Sequence, residues 1–185
     1  MKAGTVFLAV ALILSLAPAV SRAIDPPPAP SMIGLFADEA RTDCVVNNPG
    51  GFNQFVMWIW VLPGENGMIC AEYEIAAPGN VIVTELVPNA PIVWGDPITS
   101  PGVSICFDQC RTDWVWTYRV VFWVTDTAPS MITVEPHESS GGIWAGTCEE
   151  GYPTEEMNVY VNLFINQEIG TKESSWGAIK RVSGL

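Results

Sequence analysis

The stretch Asp113-Trp-Val-Trp-Thr-Tyr-Arg-Val-Val-Phe-Trp-Val-Thr125 decides the fold, and it carries three of the eight tryptophans. Successive side chains of a strand point to opposite faces. The apolar face of this stretch consists of Trp114, Trp116, Tyr118, Val120, Phe122 and Val124. The opposite face mixes Val115, Thr117, Arg119, Val121 and Trp123. An aromatic row of this kind needs a second layer to cover it, so the stretch predicts a strand in a fold at least two layers deep.

Outward from this strand, the chain contains eight short apolar runs separated by turns rich in glycine, proline and asparagine. The runs cover residues 32–37, 52–62, 68–76, 81–87, 103–108, 113–125, 131–135 and 158–167. This pattern predicts an all-β fold, a two-layer antiparallel β-sandwich of the immunoglobulin or jelly-roll kind. Convincing helical periodicity is missing before the last 15 residues, which disfavours parallel α/β folds because each crossover needs a helix.

The phase of each run predicts which side chains face the core. The inward rows are expected to be Ile69, Ala71, Tyr73 and Ile75, then Val103, Ile105 and Phe107, and then Val159, Val161, Leu163 and Ile165. The outward rows are expected to include Met68, Cys70, Glu72 and Glu74, together with Ser104, Cys106 and Asp108. Residues 55–61 are apolar on both faces, so they form either a covered central strand or one that exposes Trp58 and Trp60.

Residues 1–23 have the three parts of a secretory signal: Lys2, an apolar run over residues 6–16, and small residues at Ser21 and Ala23. Cleavage is expected after Ala23, and the apolar run is too short to span a bilayer. We therefore predict a secreted protein, either extracellular, cell-surface associated or periplasmic. Stable membrane insertion is not expected after cleavage.

The remaining chain divides by composition. The proline-rich segment 24–30 predicts an extended linker, and residues 31–170 are expected to form one β-sandwich domain. Residues 171–185 change character and are expected to form a tail or a short helix. A serine cap precedes Trp176 and Ile179, which lie three residues apart on one helical face.

The chain is acidic, with a formal net charge of −12 at pH 7. Removal of the signal would take away two basic residues and no acidic one, so the mature chain would be more acidic still. Nucleic acid and anionic membrane surfaces reward basic patches, so neither is expected as a partner. A solvated acidic surface is favoured over a cation site, because the acids lack the spacing of ligands.

The five cysteines, Cys44, Cys70, Cys106, Cys110 and Cys148, are expected to be oxidised in a secreted protein. Five cysteines allow about fifteen arrangements of two bridges and one thiol. Cys70 and Cys106 share an outward strand phase, and Cys110 and Cys148 both lie just outside strands, in loops that could meet at one end of the sandwich. We predict these two bridges, with Cys44 left free. A zinc site is disfavoured, since the chain has one histidine and no C-x2-C pair.

No catalytic and no cofactor-binding residue is predicted. His137 follows a strand in a polar turn, where an exposed loop histidine is expected, and no Ser or Cys motif accompanies it. The acid pairs at residues 38–39, 149–150 and 155–156 are adjacent in sequence, which is not the spacing across a cleft that glycoside hydrolysis needs. A calcium site from Asp38, Asp43 and Glu149 is the single cofactor candidate, although the EF-hand spacing is absent.

Aromatic side chains are the candidate ligand-facing residues, because flat exposed rings stack on apolar faces of ligands. The candidates are Trp58, Trp60 and Trp123, with Trp94 and Trp144 in addition. The competing interpretation is that these rings serve core and sheet packing, which is favoured because aromatic residues are common in strands for that reason.

Four motifs indicate a resemblance to known proteins. They are the opening Ile-Gly-Leu-Phe-Ala-Asp at 33–38, Cys-Arg-Thr-Asp-Trp-Val-Trp at 110–116, the late Cys148, and the closing Trp-Gly-Ala-Ile-Lys at 176–180. With these the chain resembles small uncharacterised secreted bacterial β-sandwich proteins, and more distantly its strand sequence is similar to cohesin-like sandwiches of bacterial surface proteins. The resemblance implies a β-sandwich and carries no activity with it.

Three functions follow from the sequence. The first is a secreted, non-enzymatic interaction or structural module with an unknown protein partner. The second is a carbohydrate-binding module that uses exposed tryptophans. The third is a hydrolase of the glycosidase kind that uses paired acids, which is disfavoured for the reason of spacing given above.

Overall fold

The computed structural model describes residues 29–167, and this part of the chain contains thirteen strands and no helix. Accordingly, none of its elements is a helix long and apolar enough to cross a membrane. The expected signal, the first part of the linker and the expected tail lie outside the described residues. The strands are β1 Met32–Phe36, β2 Val45–Val46, β3 Asn53–Leu62, β4 Met68–Ala76, β5 Val81–Pro88, β6 Ile92–Asp96, β7 Thr99–Arg111, β8 Val115–Val124, β9 Ser130–Glu135, β10 Trp144–Gly146, β11 Thr154–Glu156, β12 Asn158–Val161 and β13 Leu163–Ile165.

The strands form two sheets that pack face to face as a sandwich. The first sheet has five strands in the order β12-β1-β3-β8-β5. The second has eight strands, with β4 at its centre. On one side β4 pairs with β7, which pairs with β6, and on its other side β4 pairs with β10 and then with β9. The predicted all-β sandwich is confirmed.

All eight predicted runs contain a strand, but four strands were not predicted. They are β2, β6, β10 and β11, which are two to five residues long. β2, β10 and β11 are below the length at which alternation is informative, and β6 is interrupted by Gly95. The sheet neighbours, rather than the local sequence, define them.

The sequence predicts a purely antiparallel sandwich, but the structure contains two parallel strand pairs. β1 pairs with β12 and β13 pairs with β2 in parallel. The predicted single strand at 158–167 is in fact β12 and β13, which belong to different sheets. The chain crosses between the sheets at Asn162, whose side-chain oxygen accepts a hydrogen bond from the Val134 amide at 3.2 Å. Val159 is therefore 39% exposed, whereas Leu163 is buried as predicted.

The prediction that Trp114 and Trp116 face the core is wrong. The register of β8 against β3 shifts between Ile59 and Trp60, so that Thr117 is an extra residue in β8. Such a bulge reverses the facing of everything on one side of it. Thr117 is buried, while Trp114 and Trp116 are half-buried on the outer face. Beyond the bulge the prediction holds, since Tyr118, Val120, Phe122 and Val124 are all buried.

A second register shift lies at the start of β4, between Met68 and Cys70. It buries Met68 completely and leaves Ile69 half-buried on the outer face, the reverse of the predicted phase. From Cys70 onwards the predicted phase holds, and Tyr73 and Ile75 are in the core. The bulge thus adds an apolar side chain to the outside of this sheet.

The polar side chain that the β8 bulge turns inward is fully satisfied. Thr117 donates a hydrogen bond to the Ile59 carbonyl at 3.2 Å, and its hydroxyl is 2.7 Å from the hydroxyl of Tyr73. A buried hydroxyl without such partners would be costly. Burial raises the pKa of Tyr73 far above its ordinary value, and burial with the nearby Asp96 raises the pKa of Tyr118 to about 12.

These two tyrosines predict a loss of stability at alkaline pH. In the unfolded chain a tyrosine ionises near pH 10, whereas the folded state holds both neutral, so the free energy of unfolding should fall as the pH rises above about 10. Denaturant titrations across this range measure it. The double variant Tyr73→Phe/Tyr118→Phe should show a flatter dependence on pH, and an equally steep one would contradict the assignment.

Candidate docking groove

An open groove of about 470 Å³ lies on the outer face of the second sheet. Five neighbouring strands, in the order β6-β7-β4-β10-β11, form its floor. Side chains that pair laterally across strands point to the same face and lie about 4.8 Å apart from strand to strand. Two such rows line the groove, and we call this surface the docking groove.

The first row of the docking groove carries its aromatic and polar groups. Across the five strands, the register aligns Trp94, Ser104, Glu72, Trp144 and Glu156. The predicted outward phase of Glu72 and Ser104 is thus confirmed. Glu72 occupies the middle strand, with a tryptophan one strand away on one side and another two strands away on the other.

The second row is apolar and contains a disulfide. It aligns Ile92, Cys106, Cys70, Gly146 and Thr154. Cys70 and Cys106 face each other directly across β4 and β7 and are bonded to each other. The disulfide ties the two central strands of the floor together. Ile69, which the β4 bulge turned outward, also lines the groove.

Three of the apolar side chains at the groove are unusually exposed. Trp94 is 61% exposed, Tyr152 is 65% exposed and Ile92 is 43% exposed. Tyr152 has a φ of 50°, a left-handed conformation that is uncommon for a residue other than glycine and often accompanies function. A contiguous exposed apolar surface of this kind marks an interaction site more often than a packing defect.

Two glycines lie next to the tryptophans of the groove. Gly142 lies directly beneath the indole of Trp144, where a Cβ atom would collide with the ring. Gly95 has a φ of 83° and closely approaches the carbonyl of Gly102 at the β6–β7 bulge, immediately after Trp94. Neither position accepts a side chain, so a substitution at Gly142 would displace the Trp144 ring and one at Gly95 would disturb the backbone next to Trp94.

The polar centre of the groove is a contact between three side chains. Ser104 donates a hydrogen bond to Oε1 of Glu72 at 2.8 Å, and Nδ1 of His137 is 3.6 Å from the same oxygen. The prediction that His137 is exposed is wrong, because it is 6% exposed and packs against Gly102. The turn that carries it folds back on the sheet, where its amide binds the Gly142 carbonyl at 2.9 Å.

This centre lacks the geometry of a nucleophile with its base. In the Ser–His form of nucleophilic catalysis, the hydroxyl donates to the imidazole. Here the Ser104 hydroxyl donates to a carboxylate, and within residues 29–167 no hydrogen bond joins it to His137. Of the acid pairs, Glu149 and Glu150 are exposed in a turn, and Glu155 accepts a hydrogen bond from Ser31.

The calcium candidates are not brought together. Nowhere in the described part of the chain do three His, Cys, Asp or Glu side chains form a group that could hold a metal ion. Asp38 instead organises its own loop, accepting hydrogen bonds from the amides of Thr42 at 2.8 Å and Asp43 at 3.0 Å. Desolvation acts to raise the pKa of Asp38, but the hydrogen bonds from Thr42 and Asp43 outweigh it and leave the pKa below its usual value.

Three of the five candidate ligand-facing tryptophans, Trp58, Trp60 and Trp123, lie on the opposite, first sheet, where other side chains pack against them. Trp60 is 7% exposed, and the guanidinium of Arg41 lies 4.4 Å from the centre of its ring. Trp58 meets Trp116 edge to face, with an interplanar angle of 87°. Trp123 is stacked under Phe52, with the ring centroids 4.8 Å apart. Rings that cover one another offer no flat platform to a sugar.

The bridges in the structure are those predicted from the sequence, Cys70–Cys106 and Cys110–Cys148, and Cys44 carries a free thiol. Burial, and then the neighbouring Asp43, raises the pKa of the Cys44 thiol. The second bridge closes a turn beside Gly67, where the close approach of both sulfurs leaves no room for a side chain.

The sequence predicted Trp94 and Trp144 as aromatic candidates but missed the other parts of the groove. Ile92 lies in a strand too short to recognise, and Tyr152 lies in an acidic turn. The outward phase of Cys70, Glu72, Ser104 and Cys106 was the available signal. It becomes a surface only when the register places β6 and β10 on either side.

Comparison with solved structures finds the same fold in cohesin modules. One match is to a chain of a type I cohesin–dockerin complex from Clostridium thermocellum, with a TM-score of 0.52, 9% identity, and coverage of 74% of this chain and 93% of that chain. Another is to the sixth cohesin of scaffoldin B from Acetivibrio cellulolyticus, in complex with a dockerin, with a TM-score of 0.52, 10% identity, and coverage of 76% and 100%. At this identity the likeness concerns the fold.

No protein-family model matches the chain. A search of curated proteins also finds no match. The resemblance to small secreted bacterial β-sandwich proteins remains a prediction from the four motifs, while the distant likeness to cohesins is borne out by the structural comparison.

Proposed function

We propose that this chain is a secreted, non-enzymatic interaction module that binds a protein through the docking groove. The observation that carries the proposal is the exposure of Trp94, Tyr152 and Ile92 around one concave surface. Interfaces are enriched in tryptophan and tyrosine at their centres and have polar groups at their rims. The groove contains both kinds of residue, with the aromatic rings around the polar pair Ser104 and Glu72, and with Thr154 and Glu156 at its edge.

The rigidity of the groove supports protein binding. Its floor consists of paired strands joined by the Cys70–Cys106 disulfide, and the Trp144 ring packs against Gly142. A rigid surface loses little conformational entropy when a partner docks, so more of the contact energy appears as affinity. The two structural neighbours described above were each solved as a cohesin with a dockerin, so their fold is used elsewhere to bind proteins.

Secretion and the absence of catalysis belong to the same proposal. Two disulfides are typical of an oxidising compartment, and they agree with the signal predicted for residues 1–23. The Ser104 hydroxyl donates to the Glu72 carboxylate, and within residues 29–167 no hydrogen bond joins it to His137. An interaction module needs no activated nucleophile, but it does need a stable exposed surface.

The experiment compares two variants that remove exposed apolar side chains from opposite sheets. Trp94→Ala/Tyr152→Ala alters the docking groove, and Phe52→Ala/Ile82→Ala alters the first sheet, where these residues are 60% and 49% exposed. A protein partner is enriched from cell-surface extract on the immobilised wild type, purified, and titrated by calorimetry. We expect the groove variant to weaken its binding by roughly a hundredfold, because buried aromatic anchors cost about 2 kcal/mol or more.

The control variant should bind as the wild type does. Equal weakening by both variants, or weakening by the control alone, would contradict the proposal. Binding of cellohexaose, a soluble oligosaccharide, that is lost in the groove variant while no protein is enriched would favour a carbohydrate-binding module, for which Trp94, Trp144 and Tyr152 are the available rings.

A further inference from the structure

We propose that the first row of the docking groove receives a positively charged side chain, lysine or arginine, of the partner protein. The cation would meet the carboxylate of Glu72 between the indoles of Trp94 and Trp144. That the cation belongs to a protein rests on the proposed function. The preference for a cation rests on the geometry and charge of the groove alone.

Glu72 is the charged residue at the centre of the groove, and Glu156 lies two strands away, at its edge. Its side chain is 29% exposed, and Ser104 donates to Oε1 at 2.8 Å. His137 approaches the same oxygen but stays at 3.6 Å, beyond a normal hydrogen bond. Within residues 29–167, Oε2 has no hydrogen-bond partner from the protein, so this oxygen is available to a ligand.

The surroundings of Glu72 decide the chemistry of the ligand. A neutral apolar partner that covered the groove would remove water from this carboxylate without replacing its hydrogen bonds, which is costly for a charged group. A cation removes this cost, because it supplies both donors and an opposite charge. The occupant that the groove accepts best therefore combines apolar surface with one positive charge.

The two tryptophans add to this preference. Trp144 pairs laterally with Glu72, one strand away, and Trp94 pairs with Ser104, on the other side of Glu72. Cations bind favourably over the face of an indole ring, and desolvation strengthens the effect. The whole chain, with 20 acidic and 8 basic residues, attracts a basic partner over longer distances as well.

Two small probes test this inference without the natural partner. Nα-acetyl-arginine amide carries the cation, and Nα-acetyl-citrulline amide has nearly the same shape without the charge. We expect the arginine probe to bind about tenfold more tightly to the wild type. It should shift the indole N–H resonances of Trp94 and Trp144 in nuclear magnetic resonance spectra.

The informative variant is Glu72→Gln, which keeps an oxygen to accept from Ser104 but removes the charge. It should bring the two probes to within about twofold of each other. Glu39→Gln is the matched control, since Glu39 is exposed in the loop whose Arg41 covers Trp60 on the opposite sheet. This variant should keep the tenfold preference.

Equal binding of both probes to the wild type, or an unchanged preference in Glu72→Gln, would overturn the inference. The proposed function fails differently, because it depends on the loss of protein binding in Trp94→Ala/Tyr152→Ala. A partner that needs the groove but tolerates Glu72→Gln would leave protein binding intact and refute the cation alone.

Discussion

Substitution of Phe122 by alanine should lower the free energy of unfolding by about 3–5 kcal/mol. Phe122 is fully buried at the middle of β8, between β3 and β5, with its ring centroid 6.0 Å from that of Phe55. The substitution removes apolar surface and leaves a cavity in a core that two sheets hold rigid. The free energy of unfolding of a typical domain is about 5–15 kcal/mol, so this substitution would remove a large part of the stability.

Trp116→Ala is the comparison on the same strand. The sequence alone placed Trp116 in the core, but the β8 bulge puts it on the outer face against Trp58. Its loss should therefore cost less than that of Phe122, since Trp116 is only half-buried whereas Phe122 is fully buried. Denaturant unfolding measures the free energies of unfolding of both variants, and we expect its dependence on denaturant concentration to keep the wild-type slope. A larger cost for Trp116 would show that the bulge is absent.

Removal of the Cys70–Cys106 disulfide in the double variant Cys70→Ala/Cys106→Ala should cost about 2–4 kcal/mol. The bridge links residues 36 apart in sequence and restricts the unfolded chain accordingly. Both cysteines are replaced together, because replacing only one would leave its partner as a second free thiol, in addition to Cys44. Such a thiol can attack the remaining disulfide. Denaturant unfolding of the oxidised proteins provides the free energies.

Cys44→Ala is the control for this variant, because Cys44 carries no bridge. It should change the free energy of unfolding far less than the double variant does. A double variant as stable as the wild type would mean that the pairing contributes nothing to the fold.

The sandwich and most of its core followed from the alternation of apolar residues, because a period of two is a local property of the sequence. β7 shows this well, since Val103, Ile105 and Phe107 are buried as predicted. The errors lie where one extra residue enters a strand. The bulges at Thr117 and after Met68 each reverse the phase on one side, and they are set by pairing with a distant strand.

The docking groove was less accessible to prediction, for a related reason. The outward phase of Glu72 and Ser104 was recognised from their own strands. Their position between Trp94 and Trp144 depends on which strands lie beside β4 and β7, and lateral order is not written in any single run. The chain also changes sheet at Asn162, which no periodicity indicates.

The central claim is that a partner docks on the outer face of the second sheet. Nuclear magnetic resonance of the protein with its purified partner tests this most directly, because isoleucine methyl groups and tryptophan indoles report from both faces. We expect the resonances of Ile69, Ile92, Trp94 and Trp144 to shift when the partner binds, and those of Ile82 and Trp123 to stay unchanged. Shifts confined to Ile82 and Trp123 would place the partner on the first sheet and contradict the account.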